Sequence, residues 1–174
     1  MRRVLRRLRN EAGYSLVELV TVMAILVTVL TALTTVFIEG SQAELDANRR
    51  TQSQLQALAA FDRLRRDVHC GSSVSISGST MTVSGCASGD VSWCTVASGT
   101  QYQLYRKTGS SCDSAGKLYA ESLTSSSLFT YTAPVADTSL AKVHVDIRVN
   151  ATPAKALDAF ELVDDIVLRN SLRG

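Results

Sequence analysis

Proline and histidine are scarce in this chain, with two of each in 174 residues. No proline precedes Pro134, so nothing in the first three quarters of the sequence must break a helix. Two histidines and no Cys-x-x-Cys pair speak against a zinc site. No Asp-x-Asp-x-Asp-Gly loop is present, which excludes the usual calcium loop. Ser15 has no nucleophile-elbow context, and neither His69 nor His144 stands in a visible acid–nucleophile pattern. Nothing points to an enzyme. Formal charge is also missing over Leu19–Ile38, twenty residues in a row.

That uncharged run is the first positive feature. At roughly 1.5 Å per residue it spans about 30 Å as a helix, the thickness of a bilayer core. Its five threonines, Thr21, Thr28, Thr31, Thr34 and Thr35, bond back to helix carbonyls in such a setting. The alternative is a secretory signal peptide. Its apolar region is usually shorter, and no A-x-A-like site follows Ile38. Five arginines (Arg2, Arg3, Arg6, Arg7, Arg9) precede the run and place its N-terminal side in the cytoplasm, with everything after Gly40 outside. The net charge of +2 is carried by that leader: without residues 1–13 the chain holds 13 basic and 15 acidic side chains, or −2. A basic head for nucleic acid is therefore not expected. Glu18, alone at the edge of the apolar run, is costly to bury and marks a functional position.

The helical pattern continues past the membrane segment. Ala43–Val68 lacks Pro and Gly, and Leu55, Leu58, Phe61, Leu64 and Val68 recur at helical spacing. One helix from about Tyr14 to about His69 is expected, apolar all round at first and amphipathic later. After Cys70 the composition turns to Ser, Thr, Gly and Val, and alternation predicts strands. These are Val74–Ser77, Thr80–Val83, Val91–Val96, Gln101–Lys107, Leu118–Leu123, Phe129–Tyr131, Lys142–Asn150 and Phe160–Leu168, with Pro153–Leu157 as a loop. Along Lys142–Asn150, Val143, Val145, Ile147 and Val149 share one face, and Lys142, His144, Asp146 and Arg148 the other. An antiparallel sheet with one apolar face needs a cover, and the helix supplies it through Leu55, Leu58, Leu64 and Val68. The expected class is α+β: residues 1–13 a leader, 14–40 a transmembrane helix, 41–70 its amphipathic continuation, 71–174 a β-sheet head.

Cys70, Cys86, Cys94 and Cys112 all fall on the outer side, as two disulfides would. Of three connectivities, Cys70–Cys86 with Cys94–Cys112 closes the short, hairpin-sized loops. Trp93, beside Cys94, is expected to pack on a disulfide. Asp158, Glu161, Asp164 and Asp165 form an acidic patch that reads as a solvated strand edge.

Gly13-Tyr14-Ser15-Leu16-Val17-Glu18, with the charged leader before it and the apolar helix after it, resembles the type IV pilin and pseudopilin superfamily. The resemblance implies cleavage between Gly13 and Tyr14 by a membrane-embedded prepilin peptidase, then N-methylation of Tyr14. The family usually has Phe where Tyr14 stands. It implies that Glu18 meets the terminal amine of a neighbouring subunit and sets register in a filament. The implied partners are other pilin subunits, an assembly platform protein with its ATPase machine, and membrane lipid before assembly. The implied location is the cytoplasmic (inner) membrane, single-pass with the head outside, and then an extracytoplasmic filament. Phe61–Val68 and Asp165–Asn170 resemble segments of J-class minor pseudopilins of type II secretion. Calcium in the head, known in some relatives, is the one cofactor the resemblance leaves open. A competence-type pseudopilin for DNA uptake and a single-pass membrane-anchored adhesin or binding domain are the alternatives.

Overall fold

The computed structural model describes residues 15–135, 139–154 and 158–171. The expected leader, Gly13 and Tyr14 lie outside the described residues. One helix leads, α1 (Leu16–Cys70). Eight strands follow: β1 (Ser73–Ser77), β2 (Thr80–Ser84), β3 (Val91–Ser98), β4 (Gln101–Thr108), β5 (Lys117–Leu123), β6 (Phe129–Thr132), β7 (Lys142–Asn150) and β8 (Ala159–Val167). This is an α+β layout, a long N-terminal helix followed by an antiparallel sheet. The chain divides into two compact units, Met1–Leu45 and Asp46–Gly174.

In the first unit the described residues form helix alone, and every side chain from Ser15 to Leu45 is exposed. Over Leu19–Ile38 that exposed surface carries no formal charge on any side, which suits lipid or other helices rather than water. Gly40 does not interrupt α1.

In the second unit the strands pair in sequence from β1 to β5, all antiparallel. Gly99 turns β3 into β4 with φ at +63°, a conformation that favours glycine. β7 is the hub of the other half. Its Val145 pairs with Phe129 and Asp164, and its Val149 with Leu123 and Phe160. β5 and β6 therefore lie end to end along one edge of β7, and β8 occupies the other. β5 changes partner through an irregularity: its register against β4 slips around Leu104, and Ser122 takes φ +60°.

The core lies between the sheet and the C-terminal part of α1. Val143, Val145, Ile147 and Val149 are all buried, as alternation requires. Leu64 and Val68 cover them from the helix side, but the rest of the expected helix face is corrected. Leu55 is 61% and Leu58 46% exposed. The buried face is Ser53, Ala57, Ala60, Leu64, Asp67 and Val68, at alternating four- and three-residue steps. Leu55 and Leu58 lie on other faces of the same turns.

The end of α1 is closed by the chain's own C-terminal segment. Asn170 Nδ2 donates to the Cys70 carbonyl at 3.2 Å, and His69 Nδ1 donates to the Val167 carbonyl at 3.0 Å. The first bond satisfies one of the carbonyls that a helix end leaves unpaired. Gly71 follows because there is no room for more: a Cβ there would run into the Val83 side chain.

Candidate functional site

Two parts of the molecule carry functional chemistry. The first is the start of α1. Ser15 precedes the first helical residue, and Glu18 lies in the first turn, where a carboxylate opposes the positive end of the helix dipole. Ser15 and Glu18 thus hold the N-cap and N3 positions of a capping box, S-x-x-E, a signal present in the sequence but overlooked there. Glu18 is exposed and adjoins a shallow apolar groove formed by Leu19, Val22 and Met23. Among the described residues no side chain pairs with its carboxylate.

Beyond Glu18 the helix meets the demand that hydrocarbon makes of polar groups. Each of the five threonine hydroxyls donates to a carbonyl one turn back: Thr21 to Glu18 at 2.9 Å, Thr28 to Ile25 at 2.7 Å, and Thr31, Thr34 and Thr35 to Val27, Leu30 and Ala32 at 2.8 Å. No threonine hydroxyl is then left to seek water, which makes the segment compatible with a bilayer. Its length and composition suffice to cross one.

The second part is the joint between helix and sheet. Asp67 projects from α1 into the core, almost fully buried. Its Oδ2 accepts from Trp93 Nε1 at 3.1 Å and from Arg106 Nε at 2.7 Å, and its Oδ1 from Arg106 Nη2 at 3.2 Å. Arg63, one turn back, adds an ion pair at 3.4 Å. The bond to Asp67 pushes the Arg106 guanidinium above its ordinary value, so it stays charged. Trp93 also packs on Tyr119, ring centres 4.9 Å apart. Trp93 thus bonds Asp67 and shares a buried cluster with Cys86 of the Cys70–Cys86 disulfide. Sequence reasoning missed this joint because a lone Asp at a helix end looks like a solvated charge.

The four cysteines form two disulfides. Cys70–Cys86 ties the end of α1 to the β2–β3 connection, and Cys94–Cys112 ties β3 to the β4–β5 connection, with Cα separations of 5.1 and 5.8 Å. Each closes a loop short enough to contribute about 3 kcal/mol. Three of the four acidic residues of the C-terminal patch pair with cations. Asp158 meets Arg50 at 3.7 Å, Glu161 meets Arg148 at 2.8 Å, and Asp165 meets Lys142 at 2.8 Å and His144 at 2.7 Å. Hydrogen bonds from Lys142, then His144, hold the Asp165 carboxyl below its ordinary range. Among the described residues no group of three or more His, Cys, Asp or Glu side chains could hold a metal ion.

The start of α1 carries a recognisable motif. The model of the prokaryotic N-terminal methylation motif matches residues 8–34. The chain carries this prepilin-type motif. The matched segment takes in the end of the arginine leader, Gly13-Tyr14, Glu18 and most of the apolar run. It is consistent with the type IV pilin and pseudopilin superfamily, and the long helix before an antiparallel sheet is the pilin-like layout. The motif marks a pilin-like protein of a structural class, processed by prepilin peptidase and assembled with other pilins. The apolar helix and the motif together fit a single-pass anchor in the inner membrane. No curated protein and no solved structure matches the chain.

Proposed function

We propose that this chain is a minor pilin or pseudopilin, a structural subunit of a type IV pilus or of a type II secretion pseudopilus. Prepilin peptidase removes residues 1–13 by cutting between Gly13 and Tyr14, and the new amine of Tyr14 is methylated. The subunit waits in the inner membrane with its head outside. An assembly platform and its ATPase machine then move it into a filament, where Leu19–Ile38 packs on neighbouring helices.

The observation that carries this reading is Glu18, with no side chain paired to its carboxylate among the described residues, at the head of an exposed apolar helix and inside the matched motif. A carboxylate there keeps its charge in an apolar setting only against a positive partner, and the terminal amine of a neighbour is one. The resemblance of Phe61–Val68 and Asp165–Asn170 to J-class segments supports the minor subtype. Asp67 and Asn170, one in each segment, make contacts that hold helix to sheet. Mass spectrometry of the membrane-extracted protein should find a chain that begins at methylated Tyr14. A mature protein that still begins at Met1 would refute the assignment.

A further inference from the structure

The strands of the head are joined unevenly. β1 to β5 are sewn one to the next, and both disulfides serve that half. β7 pairs with β8 at every residue from Lys142 to Asn150, and with β6 from Lys142 to Val145. Between the two halves the ladder shrinks, among the described residues, to one pair, Leu123 with Val149. Hydrogen bonds to the Arg148 carbonyl from the Thr124 N–H at 3.0 Å, and to the Asn150 carbonyl from Gln101 Nε2 at 2.7 Å, reinforce this seam. It begins beside Ser122, whose φ of +60° is unusual for serine. β1 comes close to β6 on the far side, but no ladder joins them.

α1 also holds the two halves differently. To β1–β5 it is fixed by the Cys70–Cys86 bridge and by the buried bonds that Trp93 and Arg106 make to Asp67. Its polar ties to the other half lie at the surface: Arg50 to Asp158 at 3.7 Å, His69 to the Val167 carbonyl at 3.0 Å, and Asn170 to the Cys70 carbonyl at 3.2 Å. An exposed ion pair of that kind contributes little. Neither disulfide reaches β6–β8. What holds these strands down is the apolar packing of Val143, Val145, Ile147 and Val149 in the common core.

We propose that β6–β8 are a flap, a separate cooperative unit that detaches and unfolds in one piece while α1 and β1–β5 stay folded. The long β7–β8 ladder makes those two strands open together. Once its apolar face is bared, a three-stranded piece has nothing to pack on and does not keep its ladders. This opening costs the seam, the surface ties and the packing of one apolar face. Global unfolding must also break the Asp67 joint and the eight-pair β3–β4 ladder, in the half that the disulfides constrain. The hinge is the link Thr124–Ser127. Opening withdraws Asn170 from the end of α1 and exposes apolar strand surface without loosening the bridge between α1 and the head.

Hydrogen exchange read by mass spectrometry, on the full-length oxidised chain in detergent micelles, tests this. Exchange of a protected amide reports the population of the opening that frees it. Amides of β7 and β8 should exchange at one common rate, faster than those of β3 and β4. Ile147→Val makes a small cavity at a fully buried site in the flap. It should speed exchange in β6–β8 about fivefold and leave β3 and β4 unchanged. Gln101→Ala, which removes a bond across the seam, should give the same pattern. Equal acceleration in β3–β4 and β7–β8 would mean that the head opens only as a whole. Acceleration confined to β7, or none in any strand, would mean that β6–β8 are not one unit. Either result would overturn the proposal.

Discussion

Trp93 Nε1 donates to Asp67 Oδ2 at 3.1 Å across the boundary between helix and sheet, with the tryptophan wholly and the aspartate almost wholly out of water. The bond joins a strand in the middle of the head to the helix that leads back to the membrane segment. With Arg106 on the same carboxylate, it makes the joint directional in a way that apolar packing is not.

Removal of Asp67 strands Arg106, whose side chain is 14% exposed, so Asp67→Ala should cost about 3–5 kcal/mol. Asp62→Ala removes the exposed Asp62–Arg66 pair on the same helix and should cost less than about 0.5 kcal/mol. Urea unfolding of the two variants checks the contrast. Equal losses would mean that Asp67 is not the joint.

The helix face can be tested in the same way. Leu64 is fully buried, and Leu64→Ala should lose about 2–5 kcal/mol. Leu55→Ala should stay within about 0.5 kcal/mol of the parent, since Leu55 is exposed. A large loss at position 55 would restore the apolar-stripe reading of the helix.

Glu18 has two candidate roles that substitution separates. Glutamine suits the N3 position of a capping box, yet carries no charge. Glu18→Gln should keep the helix and its insertion but impair incorporation into filaments, as Glu18→Val should. Immunoblots of membrane and sheared-filament fractions would show it. Normal incorporation of both variants would rule out charge pairing as the basis of register.

Asp165 offers a pH prediction whose sign is fixed by its neighbours. Its folded value is depressed, so its contribution to stability is present above the unfolded value of about 3.9 and fades as pH falls through the folded one. Carboxyl titration by NMR should place its midpoint below that of an ordinary aspartate. Lys142→Met removes the stronger of the two donors and should raise the midpoint. An unmoved midpoint would show that Lys142 does not hold the carboxylate in solution.

The parts of this protein legible in the sequence are those set by local pattern. Period and turn residues revealed α1 and all eight strands to within a residue or two, because most strands alternate and most turns are punctuated by glycine or serine. Glu18 stood out because an acid beside an apolar run is conspicuous. Leu55 and Leu58 misled because the buried face of α1 begins with Ser53, Ala57 and Ala60, small residues that a hydrophobic pattern weights little. Asp67 and Arg106 were illegible as a pair, since 39 positions separate them and either alone looks solvated.

The sequence by itself determined the anchor, the processing motif, the order of elements and the number of cysteines, all properties of neighbouring residues along one chain. Only the tertiary structure decided which helix face meets the sheet, which cations neutralise the C-terminal acids, and where the two halves of the sheet are joined. Those outcomes depend on distances between residues far apart in the chain. Burial then turns an ordinary aspartate into a joint, and one ladder pair, Leu123 with Val149, marks the boundary between two parts of the sheet.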